Sequence, residues 1–259
     1  MESLHANVIG DSGQDLLILH GFLGMGDNWK TLARQWSQQG FRVHLIDQRN
    51  HGRSFWDSKF TYEAMAEDLQ YYITEQGIEK CWLLGHSMGG KTAMYWACQH
   101  PEQLHGLVVA DIAPKQYPAH HQAILKGLDS LDFSVLDSRK TVDEALAHYV
   151  PEWGFRQFLL KNVYWVAPGQ LGLRVNIEVL KYAGEAVGEA LPADFRCDRP
   201  MLFLKGATSK YILNEDKLLL EHHFSNYRLE TIPDAGHFLH AENPSDFSSI
   251  FLNWQQQWG

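Results

Sequence analysis

Short apolar runs alternate along the chain with longer stretches whose apolar residues recur at helical spacing. Residues 62–76 place apolar side chains on one helical face, and residues 88–99 form a second amphipathic stretch. Late in the chain, residues 227–232 alternate like a strand, and Asn243-Pro244 is typical of a helix start. Five short runs are apolar except for His44 in the second, as is typical of buried parallel strands: Leu16–Leu19, Val43–Ile46, Trp82–Leu84, Leu107–Ala110 and Met201–Leu204. The alternation predicts an α/β fold with a mostly parallel, doubly wound sheet.

Residues 115–197 interrupt this alternation. No strand is evident there, and helical patterns cover residues 123–131, 141–149, 154–162 and 177–184, the second opening on a capping box at Thr141. The segment leaves the sheet at the C-terminal end of a strand, the edge where open α/β sheets bind ligands. We therefore expect a helical cap, residues 115–197, between two parts of a core, residues 1–114 and 198–259. A peripheral helical decoration remote from the site is the alternative.

The sequence Gly85-His86-Ser87-Met88-Gly89 lies between an apolar run and a helical pattern. This is the G-x-S-x-G motif in the strand–turn–helix context of a nucleophile elbow. Glycines allow strand and helix to approach closely around a strained serine. The motif predicts that Ser87 is a nucleophile and that the Met88 N–H points at a developing negative charge.

A serine nucleophile needs a base, and the base needs an orienting acid. His237, in Ala235-Gly236-His237, follows the last predicted strand and is the predicted base. In most enzymes with this kind of serine motif, the acid follows the strand that corresponds to Met201–Leu204. No carboxylate occurs here between Gly206 and Asn214. Asp111 ends the strand that follows the nucleophile strand and is predicted to orient His237. The alternative is that Asp111 only caps the turn before Pro114.

The oxyanion hole requires a second N–H beside that of Met88. Phe22 follows the first long strand, in His20-Gly21-Phe22, and is the predicted second donor. Aromatic residues of the predicted cap indicate an apolar acyl pocket. The predicted substrate-binding side chains are Phe22, Leu23, Trp153, Phe158, Tyr211 and Phe238.

Composition narrows the functional class further. Net charge is −9 and no basic cluster occurs, which argues against nucleic-acid partners. No basic, apolar leader and no span-length apolar stretch are evident. Three cysteines without motif spacing indicate reduced thiols and a cytoplasmic location. The pairs His120-His121 and His222-His223 lack metal-ligand spacing, so we expect surface histidines, no metal and no cofactor.

Together these motifs resemble the α/β-hydrolase superfamily over the whole chain. The matching stretches are His20-Gly21-Phe22, Asp47-x-Arg49-Asn50-His51-Gly52-x-Ser54, Gly85-His86-Ser87-Met88-Gly89-Gly90-Lys91, Asp111-Ile112-Ala113-Pro114 and Ala235-Gly236-His237. With Ser209 where the usual acid would stand, they resemble the bacterial YbfF-type esterases. In that group the acid follows the strand after the nucleophile strand, which maps onto Asp111. The resemblance implies hydrolysis of short- and medium-chain acyl esters, with acyl-CoA thioesters as an alternative.

The residues alone are also compatible with two other functions. A C–C hydrolase or perhydrolase would use the same triad on another bond, and a non-catalytic ligand-binding relic would require a lost triad member. The sequence leaves the leaving group and the oligomeric state undetermined.

Overall fold

One seven-stranded sheet forms the centre of the molecule, which we describe from a computed structural model covering residues 2–119 and 121–258. The strands are β1 (Ala6–Ile9), β2 (Gln14–Leu19), β3 (Phe41–Ile46), β4 (Cys81–His86), β5 (Leu104–Ala110), β6 (Val163–Ala167), β7 (Gln170–Leu173), β8 (Met201–Gly206) and β9 (Tyr227–Ile232). Across those residues the sheet order is β1-β3-β2-β4-β5-β8-β9. Only the β1–β3 pair in it is antiparallel, so the predicted mostly parallel sheet is confirmed.

Helices flank both faces of this sheet, and further helices lie in the insertion between β5 and β8. They are α1 (Lys30–Ser37), α2 (Tyr62–Glu75), α3 (Met88–Gln99), α4 (Gln122–Asp129), α5 (Arg139–Ala147), α6 (Trp153–Leu160), α7 (Ile177–Leu180), α8 (Gly184–Gly188), α9 (Lys217–His223), α10 (Leu239–Glu242) and α11 (Pro244–Gln255). Alternate residues of the central strands face opposite cores: Leu17 and Leu83 pack with α2 and α3, whereas Leu16 and Leu84 pack with α1 and α11. This two-sided burial explains why the strands read as continuous apolar runs.

Strand β1 is the one element of this sheet that the pattern analysis missed. It has four residues, none of them buried, and lies at the sheet edge, where it pairs with β3 over Ala6–Ile9. A short edge strand of this kind shows no clear alternation of apolar and polar residues, because pairing with the neighbouring strand rather than burial of its side chains holds it in place.

The expectation of an all-helical insertion is wrong in one respect. Strands β6 and β7 form an antiparallel hairpin whose turn contains Gly169 at φ +78°. The hairpin is two-stranded and partly exposed, so its apolar pattern is weak. Helix α5 also begins earlier than predicted, because Ser138 rather than Thr141 is its N-cap and accepts the Thr141 N–H.

The described residues of the insertion, 115–119 and 121–197, pack against the carboxyl edge of the sheet. Asn162 Nδ2 donates to the Leu23 carbonyl at 2.8 Å, and Asn176 Nδ2 donates to Asn50 Oδ1 at 2.9 Å. Leu23 follows β2 and Asn50 follows β3. The insertion therefore touches two of the loops that leave the sheet at its ligand-binding edge.

A buried lysine joins the two ends of the insertion to the elbow helix. Lys91 Nζ, from α3, donates to the carbonyl oxygens of Lys115 (2.8 Å), Gly188 (2.9 Å) and Glu189. Burial lowers the pKa of Lys91 to about 7. The elbow helix and both stems of the insertion are thus held at one point.

Candidate active site

Ser87 occupies a strained turn between β4 and α3. Its φ of +53° lies in the left-handed region that non-glycine residues rarely adopt. The Ser87 N–H donates to the Ala110 carbonyl at 3.0 Å, which fixes the turn against β5. A Cβ on Gly85 would collide with the Gly89 carbonyl oxygen, so glycine is required where strand and helix cross. The elbow predicted from the motif is present.

His237 lies between Ser87 and Asp111, on the loop after β9. Its Nε2 is 3.1 Å from Ser87 Oγ and its Nδ1 is 2.8 Å from Asp111 Oδ2. The Tyr211 ring stacks on the imidazole, with ring centroids 3.9 Å apart and planes 15° from parallel. Glu242 accepts the N–H groups of both neighbours of His237 in the chain, at 2.6 and 3.2 Å. The imidazole is therefore held by its ring face and by its own loop.

Asp111 is fully buried and surrounded by donors. The Gly206 N–H donates to Oδ1 at 3.1 Å, and the Ser209 hydroxyl donates to Oδ2 beside His237 Nδ1. Ser209 stands after β8, where the acid usually lies, and its hydroxyl here donates to the Asp111 carboxylate, which comes from the end of β5. Since each donor stabilises the ionised form, this arrangement suits a carboxylate that faces an imidazole N–H.

The two carboxylates that follow β8 lie elsewhere. Asp216 accepts from Lys115 Nζ at 2.6 Å and from the Leu213 N–H at 2.7 Å. Glu215 is exposed to solvent. Neither is hydrogen-bonded to His237 in the described residues, so the structure brings Asp111, and not these residues, to the imidazole.

Two backbone N–H groups remain available beside the serine. Those of Phe22 and Met88 donate to no acceptor within residues 2–119 and 121–258, and both residues border space next to Ser87. The loop that carries Phe22 is held at Leu23, whose φ is +60°. His51 Nε2 accepts the Leu23 N–H at 3.1 Å, and Asn162 donates to the Leu23 carbonyl. One residue of the core, His51, and one residue of the insertion, Asn162, therefore both hold this loop in position through hydrogen bonds to Leu23.

The other nearby histidines are buried and neutral. Burial lowers the pKa of His20 to about 4 and that of His51 to about 3. Burial, with the neighbouring His237, also lowers the pKa of His86 well below its usual value. His86 Nε2 donates to the His237 carbonyl at 2.8 Å. These rings hold loops around the site, and His237 is the one described histidine within hydrogen-bond distance of Ser87 Oγ.

A cavity of about 210 Å³ opens onto Ser87 and His237. Two further wall residues, His121 and Ile124, escaped the sequence analysis because one precedes α4 and the other lies in its first turn. The amphipathic pattern of residues 122–129 was the available signal. Five of the six predicted substrate-binding residues line the cavity: Phe22, Leu23, Phe158, Tyr211 and Phe238.

Comparison with known proteins assigns the fold family. A family model described as "alpha/beta hydrolase fold" matches residues 16–244. The chain belongs to the α/β-hydrolase family. Zebrafish (Danio rerio) "sn-1-specific diacylglycerol lipase ABHD11" is 35% identical over 254 residues, which cover 95% of this chain and 80% of that protein. Escherichia coli "Esterase YbfF" is 34% identical over 234 residues, 88% of each chain.

A solved structure agrees with these relatives. The structure titled "Marine microorganism esterase" superposes with a TM-score of 0.95 at 39% identity, over 98% of this chain and all of that one. The protein is thus an α/β-hydrolase of the YbfF type and a hydrolytic enzyme.

Trp153 is the predicted pocket residue that this α/β-hydrolase does not bring to the cavity. Its side chain is 65% exposed at the first position of α6, whereas the buried Leu159 and Leu160 lie at the other end of that helix. Phe155, two residues on, lines the cavity instead. Trp165, on the hairpin, is also exposed, at 55%. Helical spacing alone left the rotation of α6 about its axis undetermined.

The histidine pairs of this α/β-hydrolase are not all surface groups as expected. His223 is buried, with Nδ1 donating to the Phe195 carbonyl at 2.8 Å, and His121 is half-buried at the cavity wall; His120 lies outside the described residues. Within the described chain, no three His, Cys, Asp or Glu side chains cluster as metal ligands would. A search of the same residues finds no helix long and apolar enough to cross a membrane.

Proposed function

We propose that this α/β-hydrolase is a serine carboxylic-ester hydrolase that acts on short- to medium-chain acyl esters. The continuous contact from Ser87 through His237 to Asp111 carries the proposal, because it joins nucleophile, base and orienting acid at hydrogen-bond distances. Relatives named as esterase and lipase support the same chemistry.

In the acylation step, His237 Nε2 accepts the hydroxyl proton of Ser87 as Oγ attacks the ester carbonyl. Asp111 accepts the Nδ1–H throughout, so the imidazole keeps the tautomer that leaves Nε2 free. The carbonyl oxygen becomes negative and is met by the N–H groups of Phe22 and Met88. Each such donor contributes about 3 kcal/mol to the transition state.

Collapse of the tetrahedral intermediate breaks the bond to the leaving oxygen. His237 returns the proton from Nε2 to that oxygen, the alcohol departs, and the acyl group stays on Ser87 Oγ. Water then gives a proton to His237 and attacks the acyl-enzyme, and release of the acid restores the serine hydroxyl. The cycle consumes one water and needs no cofactor.

Residues 115–197 act in this proposal as the cap of the enzyme. Their contacts with Leu23 and Asn50 support that role, and Phe158 extends from them to the cavity. The partner is a small-molecule ester. The three free cysteines, Cys81, Cys98 and Cys197, favour a reducing compartment, and we propose the cytoplasm.

Steady-state hydrolysis of nitrophenyl esters of increasing acyl length, measured beside acyl-CoA thioesters, tests the proposal. We expect turnover of the esters with a preference among acyl lengths, and loss of several orders of magnitude in Ser87→Ala. Ser134→Ala, which removes an exposed cap serine, is the matched control and should retain activity. Faster turnover of thioesters, or activity that survives in Ser87→Ala, would refute the proposal.

A further inference from the structure

Tyr117 lies at the base of the insertion, where its two stems run side by side. The Tyr117 N–H donates to the Gly188 carbonyl at 2.8 Å, and the Leu191 N–H donates to the Pro114 carbonyl at 2.9 Å. A Cβ on Gly188 would lie 2.2 Å from the Tyr117 carbonyl oxygen, so glycine is what allows the stems to approach this closely. The backbone of Tyr117 is therefore fixed by the segment that returns from the cap to the core.

The elbow helix holds the ring of Tyr117. Lys91 Nζ lies 4.8 Å from the centroid of this ring and donates to the same Gly188 carbonyl that accepts the Tyr117 N–H. When protonated, the amine is attracted to the face of the ring. Tyr117 borders a space of about 20 Å³ beside Ser87, which has room for about one water molecule and not for an acyl chain. Any effect of Tyr117 on the reaction is therefore indirect.

The hydroxyl of Tyr117 joins two loops that carry parts of the site. It accepts the Ala113 N–H at 2.9 Å and donates to the Tyr211 carbonyl at 2.6 Å. Ala113 lies two residues after Asp111, and Tyr211 lies two residues after Ser209. Burial raises the pKa of the Tyr117 hydroxyl, so the group stays protonated and can donate. One buried hydroxyl thus connects the loop of the acid to the loop after β8.

Tyr211 extends this connection to the base. Its N–H donates to Ser209 Oγ at 3.2 Å, its carbonyl accepts from the Tyr117 hydroxyl, and its ring lies 3.9 Å from the imidazole of His237. A shift of the Tyr211 backbone would move the ring face against which that imidazole lies. Proton transfer depends on the 3.1 Å approach of His237 Nε2 to Ser87 Oγ, so such a shift would slow the reaction.

We propose that Tyr117 is a positioning residue for the reaction, and that its hydroxyl transmits the position of the cap stem to the ring that supports His237. The assignment rests on the proposed esterase function and extends it, because it makes the geometry of the base depend on a residue of the insertion. Loss of the hydroxyl takes one bond from the Ala113 N–H and one from the Tyr211 carbonyl, and the loop after β8 is then free to shift.

A double-mutant cycle with nitrophenyl butyrate as substrate tests this assignment. Tyr117→Phe removes the hydroxyl and keeps the ring, so kcat should fall about tenfold while KM stays within about twofold of wild type. Tyr211→Leu removes the ring that stacks on His237 and should lower kcat at least as much. Because the hydroxyl acts through that ring, adding Tyr117→Phe to Tyr211→Leu should lower kcat by at most about twofold more.

Tyr72→Phe is the matched control for the loss of a buried tyrosine hydroxyl. Tyr72 is 2% exposed, and its hydroxyl is hydrogen-bonded to His44 Nδ1 at 2.8 Å in a network that continues to Asp15 and contains no triad residue. Both phenylalanine variants should lower the melting temperature to a similar extent, but Tyr72→Phe should keep the wild-type kcat. In every variant kcat is expressed per serine that a fluorophosphonate probe can label, so unfolded protein does not count.

Three results would overturn the assignment: wild-type kcat in Tyr117→Phe, an equal fall of kcat in Tyr72→Phe, or a full tenfold effect of Tyr117→Phe in the Tyr211→Leu background. The last result would mean that the hydroxyl does not act through the ring on His237. Absence of ester hydrolysis by the wild type would instead refute the esterase function itself, so the two failures are distinguishable.

Discussion

Replacing Asp111 with asparagine should disable the enzyme through the tautomer of His237 rather than through loss of the fold. The φ of Asp111 is +51°, in a region that asparagine tolerates as well as aspartate does. Its Oδ1 receives the Gly206 N–H, a backbone donor that cannot reverse its polarity. An amide at this position therefore keeps its oxygen toward Gly206 and turns its NH₂ toward Ser209 and His237.

The magnitude follows from that orientation. An amide donor opposite Nδ1 makes Nδ1 the acceptor and places the ring proton on Nε2, which then cannot take the proton of Ser87. We expect kcat to fall by up to about 10⁴-fold, the loss produced when the acid of a serine protease is altered in this way. This corresponds to about 5.4 kcal/mol of transition-state stabilisation. The hydroxyl of Ser209 can rotate to accept from the amide, so the melting temperature should change little.

Steady-state hydrolysis of nitrophenyl butyrate gives kcat, and nitrogen-15 NMR of the imidazole reports the tautomer. Ser209→Ala leaves the carboxylate and its bond to His237 in place, so we expect a loss of only about tenfold. Glu215→Gln removes an exposed carboxylate after β8 and should stay within about twofold of wild type. Full activity in Asp111→Asn, or a large loss in Glu215→Gln, would refute the assignment of the acid.

Three further predictions concern the insertion. Asn162→Ala releases the carbonyl of Leu23 and should lower kcat more than it raises KM, because the oxyanion loop loosens; an effect on KM alone would contradict this. Phe158→Ala, at the cavity wall, should shift preference toward longer esters in a nitrophenyl-ester series, whereas the exposed Trp153→Ala should not. Above pH 7 folded Lys91 loses its proton, while the unfolded chain keeps it to about pH 10.5. Urea unfolding from pH 7 to 10 should therefore show wild type gaining up to about 1.4 kcal/mol per pH unit over Lys91→Met, and a constant difference would refute it.

The core of the sheet could be predicted because its strands are buried on both faces. Such strands are apolar at every position, and Leu16–Leu19 and Met201–Leu204 both lie in strands of the observed sheet. Strand β1 and the β6–β7 hairpin escaped because each is short and partly exposed, so tertiary pairing rather than local pattern determines them.

The candidate site followed the same division. The elbow at Ser87 is a local feature that the glycine spacing reveals. Asp111 and His237 are 126 positions apart, and their contact was inferred because no carboxylate occurs between Gly206 and Asn214. The hold of His51 on the oxyanion loop and the place of His121 at the cavity wall depend on packing between distant segments. No spacing in the sequence carries that information.

Covalent labelling at Ser87 tests the central claim most directly. The enzyme would be treated with a fluorophosphonate probe, digested, and mapped by tandem mass spectrometry, with His237→Ala as the comparison. The account predicts one probe adduct per chain, located on Ser87 Oγ, and far slower labelling in His237→Ala because the base that activates the serine is gone. Probe found on another residue, or no labelling of an enzyme that still hydrolyses esters, would contradict it.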